Sequence, residues 1–204
     1  MRNARITIWV IVSTVLTITL AAKGTVIFDN ESDFTQAVSS FYMESFETLP
    51  VDTSVSQHSS LTLPDFTITE QASTLSVHDV PDYGNAATDG DNYVRDTDGL
   101  AMTITFDDPQ TAFGINIIDW GDNGSGTLTF SDNIDHTFQI ASGAQPNGTI
   151  FFFGIITDQS FTEVTLNQTL TGDSWAVDEM YYEIPEPTTL LLFGLGAVML
   201  RRKH

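Results

Sequence analysis

Apolar residues recur at every second position in segment after segment of this 204-residue chain, and clusters of Asp, Asn, Gly and Pro stand between the segments. Met102, Ile104 and Phe106 alternate with Thr103 and Thr105, and Phe113, Ile115 and Ile117 alternate with Gly114 and Asn116. Leu128 and Phe130, Phe138 and Ile140, and Val164 and Leu166 repeat the pattern. A period of two puts one set of side chains on a single face of an extended strand, whereas a helix would scatter the same set around its axis. The clusters Asp107-Asp108-Pro109, Asp122-Asn123-Gly124-Ser125-Gly126, Ser131-Asp132-Asn133 and Gln145-Pro146-Asn147-Gly148 read as turns. Short alternating strands with turns at this spacing predict an all-β, antiparallel sandwich or barrel and argue against a parallel sheet with crossover helices. Ile150 to Ile156 is apolar on both faces and reads as a central strand, and Thr25 to Phe28 as a short first strand. One short helix is expected near the start, where Asn30 can cap a turn carrying Glu31 and Asp33 and where Phe34, Ala37 and Val38 fall at helical spacing.

The two ends carry signals of a different kind. Arg2 and Arg5, an apolar stretch from Ile6 to Leu20 and the small residues Ala21 and Ala22 form the positive flank, apolar core and cleavage region of a secretory signal peptide, residues 1–22. At the other end Ile184-Pro185-Glu186-Pro187 is followed by an apolar run from Thr188 to Leu200 and by Arg201-Arg202-Lys203. As a helix that run reaches about 20 Å at about 1.5 Å per residue, short of the roughly 30 Å hydrocarbon core of a bilayer. The prolines fix φ and lack amide donors, which keeps Glu186 extended and open to a protease. The basic tail stays on the cytoplasmic side, so everything upstream is outside.

Both signals hide the character of what lies between them. The whole chain carries 7 Lys and Arg against 27 Asp and Glu, a net charge of −20. Five of the basic residues belong to the termini, so the segment from Lys23 to Glu186 keeps only Lys23 and Arg95 against all 27 acids and has a net charge of −25. Such a segment repels nucleic acid and anionic membrane surfaces and attracts cations. It has no cysteine, so an exported domain of this chain is held by its core, its hydrogen bonds and any bound metal. Residues 23–183 are of a size to fold as one domain with a proper core.

The C-terminal combination of Pro185-Glu186-Pro187, a short apolar run and Arg201-Arg202-Lys203 closely resembles the bacterial PEP-CTERM sorting signal, here residues 184–204. The resemblance implies recognition of Pro185, Glu186, Pro187, Arg201 and Arg202 by exosortase, a transpeptidase-like integral membrane enzyme. It also implies a precursor anchored transiently through the C-terminal helix and a mature protein at the cell surface or secreted. A second, looser resemblance lies in Phe151-Phe152-Phe153-Gly154-Ile155 and in Asp173-Ser174-Trp175-Ala176-Val177-Asp178-Glu179-Met180-Tyr181-Tyr182. These are similar to the closing strands of exported jelly-roll carbohydrate-binding modules, and Phe46-Glu47 is similar to their first long strand. The expected fold is accordingly a jelly-roll-like antiparallel β-sandwich with one short N-terminal helix, flanked by the signal peptide and a hydrophobic sorting helix. The same resemblance implies a structural calcium bound by Asp178 together with Glu47.

The chemistry legible in the residues is sparse. Histidines at 58, 78 and 136, no cysteine and no Gly-x-Ser-x-Gly elbow leave little from which to build a hydrolytic triad. The many carboxylates single out no pair for glycoside hydrolysis. Acidic loops at Asp89-Gly90-Asp91-Asn92, Asp96-Thr97-Asp98-Gly99 and Asp119 to Gly124 offer hard oxygen ligands for calcium, although none matches the EF-hand spacing. Glu47, Asp89, Asp91 and Asp178 are the candidate metal ligands, Asp178 because it alternates against Trp175 and Val177 and so faces away from any core those two occupy. Tyr93, Asp119 and Trp120, with Tyr83, are candidates for sugar binding, since a ring stacks on a sugar while neighbouring acids take its hydroxyls. The expectation is an exported, non-enzymatic protein of the cell surface or extracellular polysaccharide matrix, associated with carbohydrate and calcium. The alternatives are a carbohydrate-active enzyme and a calcium-dependent adhesin.

Overall fold

The computed structural model describes residues 24–52, 60–70, 74–82, 84–97 and 100–183. The signal peptide, the sorting signal from residue 184 onward, His58, Tyr83, Asp98 and Gly99 lie outside the described residues. Eleven strands and one helix follow one another as β1 (Val26–Phe28), α1 (Glu31–Ala37), β2 (Phe41–Glu44), β3 (Ser60–Thr62), β4 (Phe66–Glu70), β5 (Thr74–His78), β6 (Tyr93–Thr97), β7 (Ala101–Ile118), β8 (Gly126–Asp132), β9 (Thr137–Gly143), β10 (Ile150–Gln168) and β11 (Ser174–Glu183). All pairings between these strands are antiparallel.

Two long strands organise the molecule. β7 and β10 run side by side, and each serves two layers. The first half of β7, Met102 to Phe106, has β4 on one flank, and its second half, Phe113 to Ile118, has β11. The first half of β10 pairs with β1 and its second half, Val164 to Gln168, with β8. One layer is therefore β5-β6-β11-β7-β10-β1, with β2 beside the end of β11, and the other is β3-β4-β7-β10-β8-β9. The strands change layer where the β7/β10 register breaks between Ile156 and Glu163, which is how bulges make the corners of a sandwich. Asp107-Asp108-Pro109 lies at this corner, exposed and inside β7, where a turn was expected. Pro109 lacks a donor, and the corner is a place in a strand where none is required.

The layers close on one core. Phe130 of β8 and Phe153 of β10 belong to opposite layers, and their rings lie 4.9 Å apart; Phe66 of β4 and Tyr182 of β11 lie 5.6 Å apart. Ile104, Phe113, Ile117, Leu128, Val164, Trp175 and Val177 are all fully buried in the same cluster. The alternation seen in the sequence thus marks the inner faces of both layers.

A second cluster covers the outer face. Asn30 caps α1, its side chain accepting from the Asp33 amide at 3.1 Å, and Phe34 is fully buried against Phe152 and Tyr181. The Phe34 ring sits on Gly114 and Gly154, which face each other across β7 and β10. A Cβ on Gly154 would meet Phe34 Cδ2 at 2.7 Å, so the glycine clears the seat of the helix. β11 carries a bulge between Asp178 and Tyr181, with Glu179 at φ +44°. The inserted residue shifts the parity of the strand, so Trp175 and Val177 before it and Met180 and Tyr182 after it all reach the core.

Candidate functional site

Three places bring polar groups from distant parts of the chain together. The first is the outer face of β11. Asp178 is fully buried there, on the side opposite Trp175 and Val177, as the alternation predicted. Its Oδ2 accepts from the Thr88 amide at 2.7 Å, the Thr88 hydroxyl at 3.0 Å and the Asp89 amide at 3.1 Å, and its Oδ1 from the Glu179 amide at 2.7 Å. Burial pushes the carboxyl up to about 6, against these hydrogen bonds, which favour the ionised form. Glu47 holds the other end of the same loop. Its Oε1 accepts from the Asp91 amide at 2.8 Å and the Asn92 amide at 2.7 Å. Gly90 between them adopts φ +67°, and a Cβ there would stand 2.3 Å from Glu47 Oε1, so the loop needs glycine to close on the carboxylate.

This arrangement joins the four candidate metal ligands in an unexpected way. Asp89 and Asp91 contribute backbone amides, and their side chains are exposed. Glu47 and Asp178 face N–H donors, the opposite polarity to a cation's neighbours. Among the described residues no three His, Cys, Asp or Glu side chains converge on one position, and the carboxylates of Glu47 and Asp178 are each turned towards loop amides. Glu47 also lies in the turn after β2, beyond the strand to which Phe46-Glu47 was assigned. Asp96 and Thr97 lie on β6 and not in a loop, and Asp96 is fully buried.

The second place is the end of the sandwich where the 119–126 turn meets the turns at 145–149 and 172–174. Tyr93 and Trp120, expected to offer rings to a sugar, are both fully buried. The Tyr93 hydroxyl donates to the Val80 carbonyl at 2.9 Å, and the Trp120 indole donates to Gln168 Oε1 at 2.8 Å. Neither presents a face to solvent, because large rings beside acidic turns are drawn into the core of a sandwich as readily as any other aromatic. Asp119 is buried at φ +59°; its Oδ1 accepts from the Gly148 amide, and burial holds its carboxyl above the usual carboxylate range. Asp173, fully buried, accepts from the Gly121 amide at 2.7 Å through Oδ2. Burial, with the Asp122 carboxylate beside it, pushes Asp173 up to about 6.

The third place is a cleft of about 370 Å³ at the open side of the sandwich. Among the described strands β1 pairs only with β10 and β9 only with β8, so the edges of the two layers face each other across it. Ile27, Phe138, Ile140 and Phe151 form apolar walls, and Asp29, Gln139 and Gln145 bring polar groups to the rim. Beyond Ile27 and Phe138 the two edges are tied together: Thr25 Oγ1 lies 3.1 Å from His136 Nε2, and His136 Nδ1 lies 2.7 Å from Asp132 Oδ2. Asp132 Oδ1 accepts from the Ile134 and His136 amides, so the same carboxylate also shapes the β8–β9 turn. No sequence motif announced this cleft, since its walls come from residues more than a hundred positions apart.

Residues 183–203 match the family model described as the PEP-CTERM protein-sorting motif. The chain ends in a protein-sorting signal. The motif indicates export and exosortase-dependent processing at the C-terminus. It begins at Glu183, the last residue of β11, whose side chain accepts from the Thr111 amide at 3.2 Å and from the Thr111 hydroxyl. A comparison with curated proteins finds no match. Among solved structures, a family 29 carbohydrate-binding module in complex with mannohexaose is 9% identical, with 70% of this chain and 90% of that chain covered and a TM-score of 0.41. Another structure of a family 29 module is 11% identical over 74% of this chain and 97% of that one, with a TM-score of 0.40. The K2 cleaved adhesin domain of Lys-gingipain is 8% identical over 72% and 99%, with a TM-score of 0.43. At such values the likeness is one of outline, and the sandwich is established by the chain's own strand pairing and core. Among the described residues no helix is long and apolar enough to cross a membrane.

Proposed function

We propose that this chain is an exported, non-catalytic protein of the cell surface or the extracellular polysaccharide matrix, and that its sandwich binds carbohydrate in the cleft between β1 and β9. The observation that carries the first half is the sorting motif, which overlaps the sandwich at Glu183 alone, so that processing beyond Glu183 leaves every strand whole. The membrane then holds the precursor only until exosortase acts. The cleft supports the second half. Phe138 and Phe151 offer apolar surface for the C–H faces of a sugar ring, and Asp29, Gln139 and Gln145 offer acceptors and donors for hydroxyls. A segment of net charge −25 selects neutral or cationic glycans and resists polyanionic ones.

A hydrolytic reading draws on one observation, the hydroxyl–imidazole–carboxylate chain of Thr25, His136 and Asp132 at the end of the cleft. A glycan array with the mature protein, followed by assay of any bound acylated glycan for released carboxylic acid, separates the two. Saturable binding without cleavage, weakened at least tenfold in Phe138→Ala and Gln139→Ala, is expected. Cleavage lost in Thr25→Ala would select the enzyme, and binding indifferent to both cleft variants would remove the cleft from the account.

A further inference from the structure

The turn that carries Asp122 and the turn that carries Asp173 lie together around a polar cleft of about 230 Å³ lined by Asp122, Asn123, Gly172, Asp173 and Ser174. Asp173 is fully buried, and one of its oxygens, Oδ2, is used by the Gly121 amide. Its other oxygen, Oδ1, is buried with no hydrogen-bond partner. Asp122 stands beside it, close enough for the two carboxyl groups to interact directly, and accepts from Asn147 Nδ2 at 3.2 Å at the surface. Asn123 uses its amide nitrogen on the Gly172 carbonyl, at 2.5 Å, which leaves the side-chain oxygen for another neighbour. Two adjacent carboxylates, one with an unsatisfied buried oxygen, require a positive charge or a proton between them. Among the described residues Arg95 is the one Lys or Arg, and it pairs with Asp82.

We propose that Asp122 and Asp173 bind a divalent cation of calcium size, with the Asn123 side-chain oxygen and water completing its shell. The donors are hard oxygens on two turns at a solvent-facing mouth, the setting of the weak sites that extracellular calcium fills. The site differs from the Glu47 and Asp178 positions, which are occupied by loop amides, and it is independent of the carbohydrate reading. Bound there, the ion would clamp the 121–126 turn to the strand β11 that leads out to the sorting signal, so it couples to fold stability through binding to the native state alone.

Terbium, a calcium-sized luminescent ion, is the probe, because Trp120 lies two residues from Asp122 and can sensitise its emission. With mature protein stripped of metal, emission on tryptophan excitation is expected to saturate, to be displaced by excess calcium, and to vanish in Asp122→Asn and Asp173→Asn. It should persist in Asp178→Asn and in Asp33→Asn, an exposed control. Asp173→Asn is also expected to melt higher than wild type in chelator, since its amide donates to Asp122 and removes the repulsion, while no longer gaining stability from calcium. Emission surviving in both site variants, or lost in Asp178→Asn instead, would overturn the assignment. A calcium shift in melting equal to that of ionic-strength-matched sodium would show screening alone and would overturn it equally.

Discussion

Replacing Asp178 by alanine should cost the fold more at pH 5 than at pH 7. At neutral pH the ionised side chain holds the amides of Thr88, Asp89 and Glu179. Leaving these three partly buried donors without their acceptor costs at most about 1–2 kcal/mol each, up to about 3–6 kcal/mol in all. Removal of the buried charge offsets part of this. The carboxyl is raised from 3.8 to about 6, a difference of some two pH units, so the offset is about 3 kcal/mol at pH 7. The net cost at pH 7 is therefore on the order of 0–3 kcal/mol. A raised carboxyl binds its proton more tightly in the folded than in the unfolded state, so stability from this group grows as pH falls from about 7 towards 4. Between pH 7 and pH 5 the wild type gains on the order of 1 kcal/mol from Asp178 by this linkage, and Asp178→Ala gains none. Urea unfolding of both proteins at the two pH values, in chelator, measures the difference directly, since contributions from other acids cancel. A mutational cost that shrinks or stays constant on acidification would refute the claim that burial dominates the surroundings of this aspartate.

Further outcomes follow from named contacts. Gly154→Ala should destabilise by about 1–3 kcal/mol in urea unfolding, because the new methyl group collides with Phe34 and Phe152 and unseats α1; an unchanged midpoint would show that the helix yields freely. Glu47→Ala and Asp178→Ala hold one loop from two ends, so a double-mutant cycle should show coupling of about 1–2 kcal/mol, while additivity would mean that the loop is not a unit. After loss of the signal peptide the remaining tryptophans are Trp120 and Trp175, both fully buried. Their emission should be blue-shifted, resistant to acrylamide quenching and indifferent to bound glycan; a glycan-dependent change would return Trp120 to the sugar site.

Much of this architecture is legible in the residues, for reasons that also mark where legibility ends. The period-two runs at Met102–Phe106, Phe113–Ile117 and Leu128–Phe130 are the inner faces of two layers, and Asn30 with Phe34 announces the helix, because strands and caps are local physics. Asp107-Asp108-Pro109 has the composition of a turn, yet a corner within a long strand has the same needs: exposure and no required donor. Asp178 lies on the outer face that its parity predicts, since parity is local, but the loop amides that fill its surroundings come from residues 88 and 89. Acidic neighbours in sequence made Tyr93 and Trp120 look like ligand residues, whereas burial is decided by the whole fold. The β1/β9 cleft and the Asp122–Asp173 pair are meetings of distant segments and leave no local trace.

Export should leave the sandwich freed from its sorting signal. Intact-mass spectrometry of the protein recovered outside the cells of its native host tests it most directly. A mature species beginning at Ala22 or Lys23 and lacking Arg201 to His204 is the predicted result, and a secreted species still carrying the complete basic tail would contradict it.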